Sequence, residues 1–463
     1  MSKSKFMTAA EEMKDKLGPS LCLAKWQQVS LHLPTGLNNS CYHPPLHEID
    51  AQPLEFHPSA LHNTAYKKEQ RKKMLDGVRP KECNYCWTME DAGHLSDRHY
   101  RSGEPWAAEH YDNIVDQPWD ADVTPSYVEV NFSHGCNLAC SYCSPQFSTE
   151  WGKDMDRWGA YPTKHPHNDP AHFKGRRLPI PVREVNPYVE AFWKWWPELY
   201  RDLNTFRITG GEPLLSKDTW SVLDYIISEK NPNRNLKLAI NSNLGVPDAL
   251  IDKLIEKIKK IEDEGRVKEL ILFTSCDTWG AQAEYIRTGL EFNRFWDNIN
   301  KILLNCPKIV ITFMVTYNAL SVSNYDKLIQ EIYKLKETYA SPYRYWNSAT
   351  FLDSSYLRWP SHQTVQILPY QFSEKIMNQA KLATFYSTPS FNSTQIGYSD
   401  VEVQKIKRIY DWMLAPQDSI QQLKNRHNFY KYFSEHDRRR GTNFVKTFPE
   451  LEEFYNFCST ITI

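Results

Sequence analysis

The chain has 463 residues, enough for two or three domains, and its 55 basic side chains almost balance 56 acidic ones. That balance argues against wholesale nucleic-acid binding, and no run approaches the roughly 20 apolar residues that cross a membrane. The stretch Met1–Glu12 lacks the apolar core of a secretion signal, so a cytoplasmic, reducing location is expected, where thiols stay available to metals.

Residues 1–124 hold the first cysteine group. Cys83-Asn84-Tyr85-Cys86-Trp87 is a Cys-x2-Cys pair, and Cys41 stands in Ser40-Cys41-Tyr42-His43-Pro44-Pro45. Tyr127 to Phe132 then alternates as a half-buried strand does. Directly after it, Cys136, Cys140 and Cys143 follow in the order Cys-x3-Cys-x2-Cys. Three thiolates this close together can hold three irons of a four-iron cluster and leave the fourth without a protein ligand. An open coordination position separates a reactive metal centre from a closed structural one. A zinc site would need another Cys or His nearby, and the next histidines are His165 and His167. Packed thiols are the third reading of the triplet.

Residues 144–200 form a long connection containing Trp151 and the run Trp193-Lys194-Trp195-Trp196. A loop of this length often covers a site, whereas aromatic residues at helical spacing usually pack inward. Residues 205–215 are a short strand closing on Gly210-Gly211-Glu212-Pro213. The two glycines let a ligand approach the backbone, and Glu212 offers a carboxylate to an ammonium group. A third strand, Leu236 to Ile240, closes on Asn241-Ser242-Asn243, which as a bare turn would also be ordinary. A fourth, Glu269 to Thr274, runs into Ser275-Cys276-Asp277. A fifth is expected at Ile309 to Val315 and a sixth at Tyr345 to Leu352. Helical patterns lie between, at Pro247 to Ile261 and Asn324 to Tyr339. Strands alternating with helices imply parallel βαβ units, with chemistry at the carboxyl ends of the strands. Residues 351–463 read as a mostly helical accessory segment, for example at Val401 to Leu414. Its run Arg438-Arg439-Arg440 reads as a solvated face, Cys276 and Cys306 read as packed thiols, and Cys458 has no motif around it.

The loop Cys136-x3-Cys140-x2-Cys143, with Tyr142 before its last cysteine, and the later turn Gly210-Gly211-Glu212-Pro213 closely resemble the radical S-adenosylmethionine (SAM) superfamily. That resemblance implies an α/β fold with a partial (β/α)6 barrel over residues 125–350. It implies a [4Fe-4S] cluster on Cys136, Cys140 and Cys143, whose remaining iron binds SAM. Gly210 to Pro213 would meet the amino group of SAM, and Tyr142, Asn241, Ser242, Asn243, Ser275, Asp277 and Arg287 would supply further contacts. Reductive cleavage of SAM would then give a 5′-deoxyadenosyl radical that takes a hydrogen from substrate, an oxidoreductase-like chemistry fed by a donor such as flavodoxin or ferredoxin. The hard step belongs to the cofactor; the protein positions and shields it.

Lys67 to Arg101 further resembles the twitch and SPASM modules of radical SAM enzymes that act on peptides, although those modules follow the barrel and this segment precedes it. The resemblance implies a second iron–sulfur cluster on Cys83, Cys86 and Cys41. Its fourth ligand could be Cys22, a C-terminal residue or a substrate atom. A zinc knuckle that adds His43 or His47 is the rival reading. A peptide or protein substrate is expected. A small molecule (a nucleotide precursor or sugar) and a non-catalytic SAM-binding sensor or assembly protein are the alternatives.

Overall fold

Among the described residues there are eleven strands, the longer ones rich in β-branched and aromatic residues: β1 (Gln28–His32), β2 (Leu37–Asn39), β3 (His47–Glu48), β4 (Tyr127–Asn131), β5 (Ala139–Cys140), β6 (Thr205–Thr209), β7 (Lys237–Asn241), β8 (Glu269–Ser275), β9 (Arg287–Thr288), β10 (Val310–Tyr317) and β11 (Thr350–Tyr356). The computed structural model describes residues 5–164, 178–344, 347–387 and 396–463. His165, His167 and Tyr345 lie outside the described residues. The fold is α/β, with a mostly parallel central sheet and many helices. No described helix is long and apolar enough to cross a membrane.

Two compact units divide the chain. The first comprises residues 1–133, 179–239 and 264–269; the second comprises residues 134–178, 240–263 and 270–463.

In the first unit β4 lies between β1 and β6, and both pairings are parallel. The register aligns Val29 with Val128 and Leu31 with Val130, then Val128 with Phe206 and Val130 with Ile208. All six side chains are buried, so one apolar face runs across the three strands. β2 and β3 extend this sheet in antiparallel fashion beyond β1. The sequence reading has no strand before Tyr127. β1 escapes it because Gln28 and Ser30 are polar, yet both are buried along with their apolar neighbours. The helix Pro187–Asp202 starts in register because Asn186 accepts the N–H groups of Tyr188 and Val189, and Pro187 sits where its missing N–H costs nothing. Its Trp195 and Trp196 are buried, with Trp196 packed 4.7 Å from Phe206 of β6. They are core, not a lid.

In the second unit β8, β10 and β11 pair in parallel. The helix Asp248–Asp263 buries Ile251, Leu254, Ile255, Ile258 and Ile261, the three- and four-residue spacing of one helical face. The sixth expected strand begins later, as Thr350–Tyr356. The helix Asp400–Leu414 matches the expected pattern closely. The arginine run corrects the reading of a solvated face. Arg438 is half exposed, but Arg439 and Arg440 are buried on Asp154, at 2.9 and 3.4 Å. The run ends a helix, and the two inner guanidiniums face the helix Thr149–Trp158 of the same unit.

Candidate active site

The cysteine triplet sits on a loop fastened at almost every residue. The Cys136 N–H donates to Thr149 Oγ1 at 3.2 Å, and the same hydroxyl donates back to the Cys136 carbonyl at 3.1 Å. Ser148 Oγ donates to the Leu138 carbonyl at 2.6 Å, and Trp151 Nε1 to the Cys140 carbonyl at 2.8 Å. From far along the chain, Tyr432 Oη and Gln363 Nε2 both donate to the Ser141 carbonyl, at 2.6 and 3.0 Å. As residues the three cysteines are half-buried in this cradle. The Leu138 N–H points at Cys136 Sγ, 3.4 Å away, a donor suited to a thiolate.

One residue of β9 completes the loop. β5 and β9 form a two-residue antiparallel bridge in which Cys140 faces Arg287 and Ala139 faces Thr288. The bridge needs Gly289, whose φ is +98° and where a Cβ would lie 2.7 Å from the Asn137 carbonyl oxygen. Arg287 forks onto Asp277, Nε to Oδ2 at 3.0 Å and Nη2 to Oδ1 at 3.1 Å. Its Nη1 reaches Cys140 Sγ at 3.6 Å, and its Nη2 also donates to Tyr142 Oη. Tyr142 donates in turn to Asp277 Oδ2 at 2.7 Å, and the Thr316 N–H to Asp277 Oδ1 at 2.9 Å. Burial pushes the Cys140 thiol up, and the Arg287 charge opposes that shift. Burial would lower Arg287, but Asp277 outweighs it and keeps the guanidinium charged.

Tyr142, Asp277 and Arg287, expected as SAM contacts, are hydrogen-bonded to one another, with Asp277 fully enclosed, Arg287 buried and Tyr142 half-buried. Neighbouring Cys276 is buried and donates to the Thr278 carbonyl, as a packed thiol does. Ser275 ends β8. Asn243 also ties to the loop: its Nδ2 donates to Asn137 Oδ1 at 2.9 Å, and Asn137 Nδ2 donates to the Gly245 carbonyl at 2.9 Å. Ser242 Oγ accepts the Leu244 N–H, and Asn241 Nδ2 lies 3.7 Å from Met314 Sδ.

The Gly210-Gly211-Glu212-Pro213 turn follows β6 in the first unit. Gly210 has φ +135°, and a Cβ there would lie 2.5 Å from Asn131 Oδ1. The Gly211 N–H donates to the Ser133 carbonyl at 3.0 Å. The Glu212 carboxylate accepts the Leu214 N–H at 2.9 Å and is almost fully buried, so it caps the short 3-10 turn Pro213–Leu215.

The model of the radical SAM superfamily matches residues 130–332, the segment that carries both the cysteine loop and the Gly-Gly-Glu-Pro turn. These residues are a radical SAM domain. No curated protein matches the chain. A radical SAM domain supports an enzyme, and it implies a [4Fe-4S] cluster and SAM. The donor set fits that cluster: three thiols on one pinned loop, one receiving an N–H and another a guanidinium.

The second cysteine group lies outside the matched segment. In the first unit Cys22, Cys41, Cys83 and Cys86 line one recess. Burial pushes the Cys83 and Cys86 thiols up to about 12 and the Cys41 thiol up to about 11. Cys22 lies within Coulomb reach of the other three and adds to each shift. Lys25 lines the same recess and pairs with Glu82. Burial alone would lower Lys25, but Cys83 and Glu82 outweigh it and hold the ammonium above its usual range. The two histidines of the zinc reading have other partners. His43 Nε2 is 2.6 Å from Asp97 Oδ2, and His47 Nε2 is 2.9 Å from Thr64 Oγ1. Among the described residues, no three His, Cys, Asp or Glu side chains are close enough together to share one metal ion.

The local spacing of the sequence missed Gln363, Tyr432, Asn137, Thr149 and Lys25. Gln363 and Tyr432 lie more than 200 residues from Ser141, so no local pattern marks them. Lys25 had a signal, a lone basic residue three positions after Cys22.

Proposed function

We propose that the protein is a cytoplasmic radical SAM enzyme that modifies a peptide or protein and carries a second iron–sulfur cluster on its N-terminal cysteines. The observation that carries the enzyme reading is the pinned Cys136–Cys143 loop, with Arg287 directed at Cys140. Cys136, Cys140 and Cys143 would hold the cluster, and the chemistry it would supply is one-electron reduction of SAM, leading to hydrogen abstraction from substrate. The chain's own residues hold the thiolates, neutralise part of their charge and keep the loop rigid.

The second cluster is supported by four thiols converging on one recess. Zinc held by four thiolates requires each sulfur about 2.3 Å from a single ion. In a cubane each thiolate would instead bind a different iron, and all four cysteines line the one recess. The peptide or protein substrate rests on the resemblance of Lys67 to Arg101 to modules of peptide-modifying relatives. The electron donor in this reading is a flavodoxin or ferredoxin. Iron counting tests the two-cluster reading. The full chain should hold about eight irons and the Cys83→Ala/Cys86→Ala variant about four. About four in both would remove the second cluster. For the substrate, a deuterated precursor peptide encoded beside the gene should pass deuterium into 5′-deoxyadenosine. Transfer only from a nucleotide precursor or sugar would replace the peptide.

A further inference from the structure

We infer that Cys22 is the fourth thiolate of the N-terminal site, so that the cluster there is fully ligated by protein and presents no open iron. The inference rests on the second cluster proposed above and deepens it. It separates two roles that a second cluster can have, binding substrate at a vacant iron or carrying an electron without bonding to substrate.

Cys22 stands just before the short helix Ala24–Gln27, and its segment is fixed on both sides. Arg98 Nη1 donates to the carbonyls of Gly18 and Leu21, at 3.1 and 2.7 Å. Ser102 Oγ accepts the Leu23 N–H at 3.1 Å, and Ser20 Oγ donates to the Met74 carbonyl at 2.7 Å. Arg98 is itself locked on Glu90 at 2.7 Å and lies over the Trp87 ring, one residue after Cys86. The element bearing the Cys-x2-Cys pair is thus joined, through Arg98, to the segment that presents Cys22.

Two of the sulfurs receive backbone N–H donors. The His43 N–H is directed to Cys41 Sγ, and the Arg98 N–H to Cys86 Sγ. A cluster on four thiolates is anionic, and Lys25, Arg98 and Arg101 line the recess together with Asp97, with Lys25 paired to Glu82 and Arg98 to Glu90. Of the other candidates for a fourth ligand, Cys458 is enclosed in the C-terminal helix Glu452–Thr460. Cys22, by contrast, lines the recess itself. The contrast with the radical SAM domain is direct: there the loop offers three thiolates, here the recess offers four.

The test uses the full chain with Cys136, Cys140 and Cys143 all changed to Ala, so that any cluster it holds is the N-terminal one. After anaerobic reconstitution it should carry about four irons. Its dithionite-reduced electron paramagnetic resonance (EPR) spectrum should be unchanged by added imidazole or SAM, because no iron is open. Adding Cys22→Ala should lower the iron content to about three or free one iron. The spectrum should then respond to 2-mercaptoethanol, a thiol able to take the vacated place. A spectrum that imidazole shifts while Cys22 is still present would overturn the closed site, without any need for the Cys22 variant to fold. The same iron content and spectrum with and without Cys22 would also overturn the inference, while leaving the second cluster standing. If the triple variant binds zinc or no metal, the proposed second cluster fails and this inference with it.

Discussion

Arg287 Nη1 lies 3.6 Å from Cys140 Sγ, while the same guanidinium forks onto the fully buried Asp277. A cationic donor at a ligating sulfur stabilises the more negative, reduced state of a cluster. Arg287→Met should therefore shift the reduction potential of the Cys136–Cys143 cluster downward, by on the order of tens of millivolts. Arg287→Lys, which keeps the charge, should shift it less. An EPR-monitored redox titration reads this directly, and equal potentials in all three proteins would refute it.

Asp277→Asn tests the other end of the pair. It leaves the Arg287 charge buried without its carboxylate, and breaking a buried pair in this way costs about 3–5 kcal/mol. Denaturant unfolding should show a loss of that size. A loss below about 1 kcal/mol would mean that the network is solvated and slack.

Gly289→Ala should disturb the cluster loop itself. Its Cβ would meet the Asn137 carbonyl at 2.7 Å, and its φ of +98° strains any other residue. Gly441→Ala is the control: it ends the helix Ser419–Arg440 at φ +65°, with nothing within 4 Å of its Cβ. Both lose some stability, about 1 kcal/mol or more. Only Gly289→Ala should lower iron loading at Cys136, Cys140 and Cys143, measured in a Cys83→Ala/Cys86→Ala background. Equal loading in the two variants would show that the bridge tolerates displacement.

How the strands and the triplet reveal themselves in the sequence has a simple cause. β4, β6, β8 and β10 are continuous apolar or alternating runs, so their period is local, and Cys136, Cys140 and Cys143 are close in the chain because one loop carries them. Glu212 and Gly210 are likewise read from one turn. The support beneath the loop is different. Arg287, Asp277, Gln363 and Tyr432 reach it through tertiary packing over roughly 130 to 290 residues, which no periodicity encodes. Arg287 and Asp277 are expected as SAM contacts because the resemblance to the radical SAM superfamily implies it. In the structure they also support the loop, through the Arg287–Asp277 fork and the Arg287 contact with Cys140. β1 and the inward turn of Arg439 and Arg440 were hidden for a related reason: polar residues were buried on partners far away in the sequence.

Acid should weaken the fold through two histidines of the first unit. Burial holds His32 and His47 down at about 4 from an ordinary 6.5, with Lys67 adding to the effect on His47. Both are neutral when folded, and the unfolded chain takes up their protons first. Their contribution is fully present above about pH 6.5 and is lost as the pH falls from 6.5 toward 4. Urea midpoints across that window should fall more steeply for the wild type than for the His32→Gln/His47→Gln protein. Parallel curves would show that neither histidine is coupled to folding.

The most direct test of the central claim is the formation of 5′-deoxyadenosine by the anaerobically reconstituted full chain supplied with SAM and dithionite. Wild-type protein should release it together with methionine, and Cys140→Ala should release none above background. Equal, background-level product from both proteins, with the wild-type cluster shown intact by its EPR spectrum, would contradict a SAM-cleaving enzyme and leave a SAM-binding iron–sulfur protein in its place.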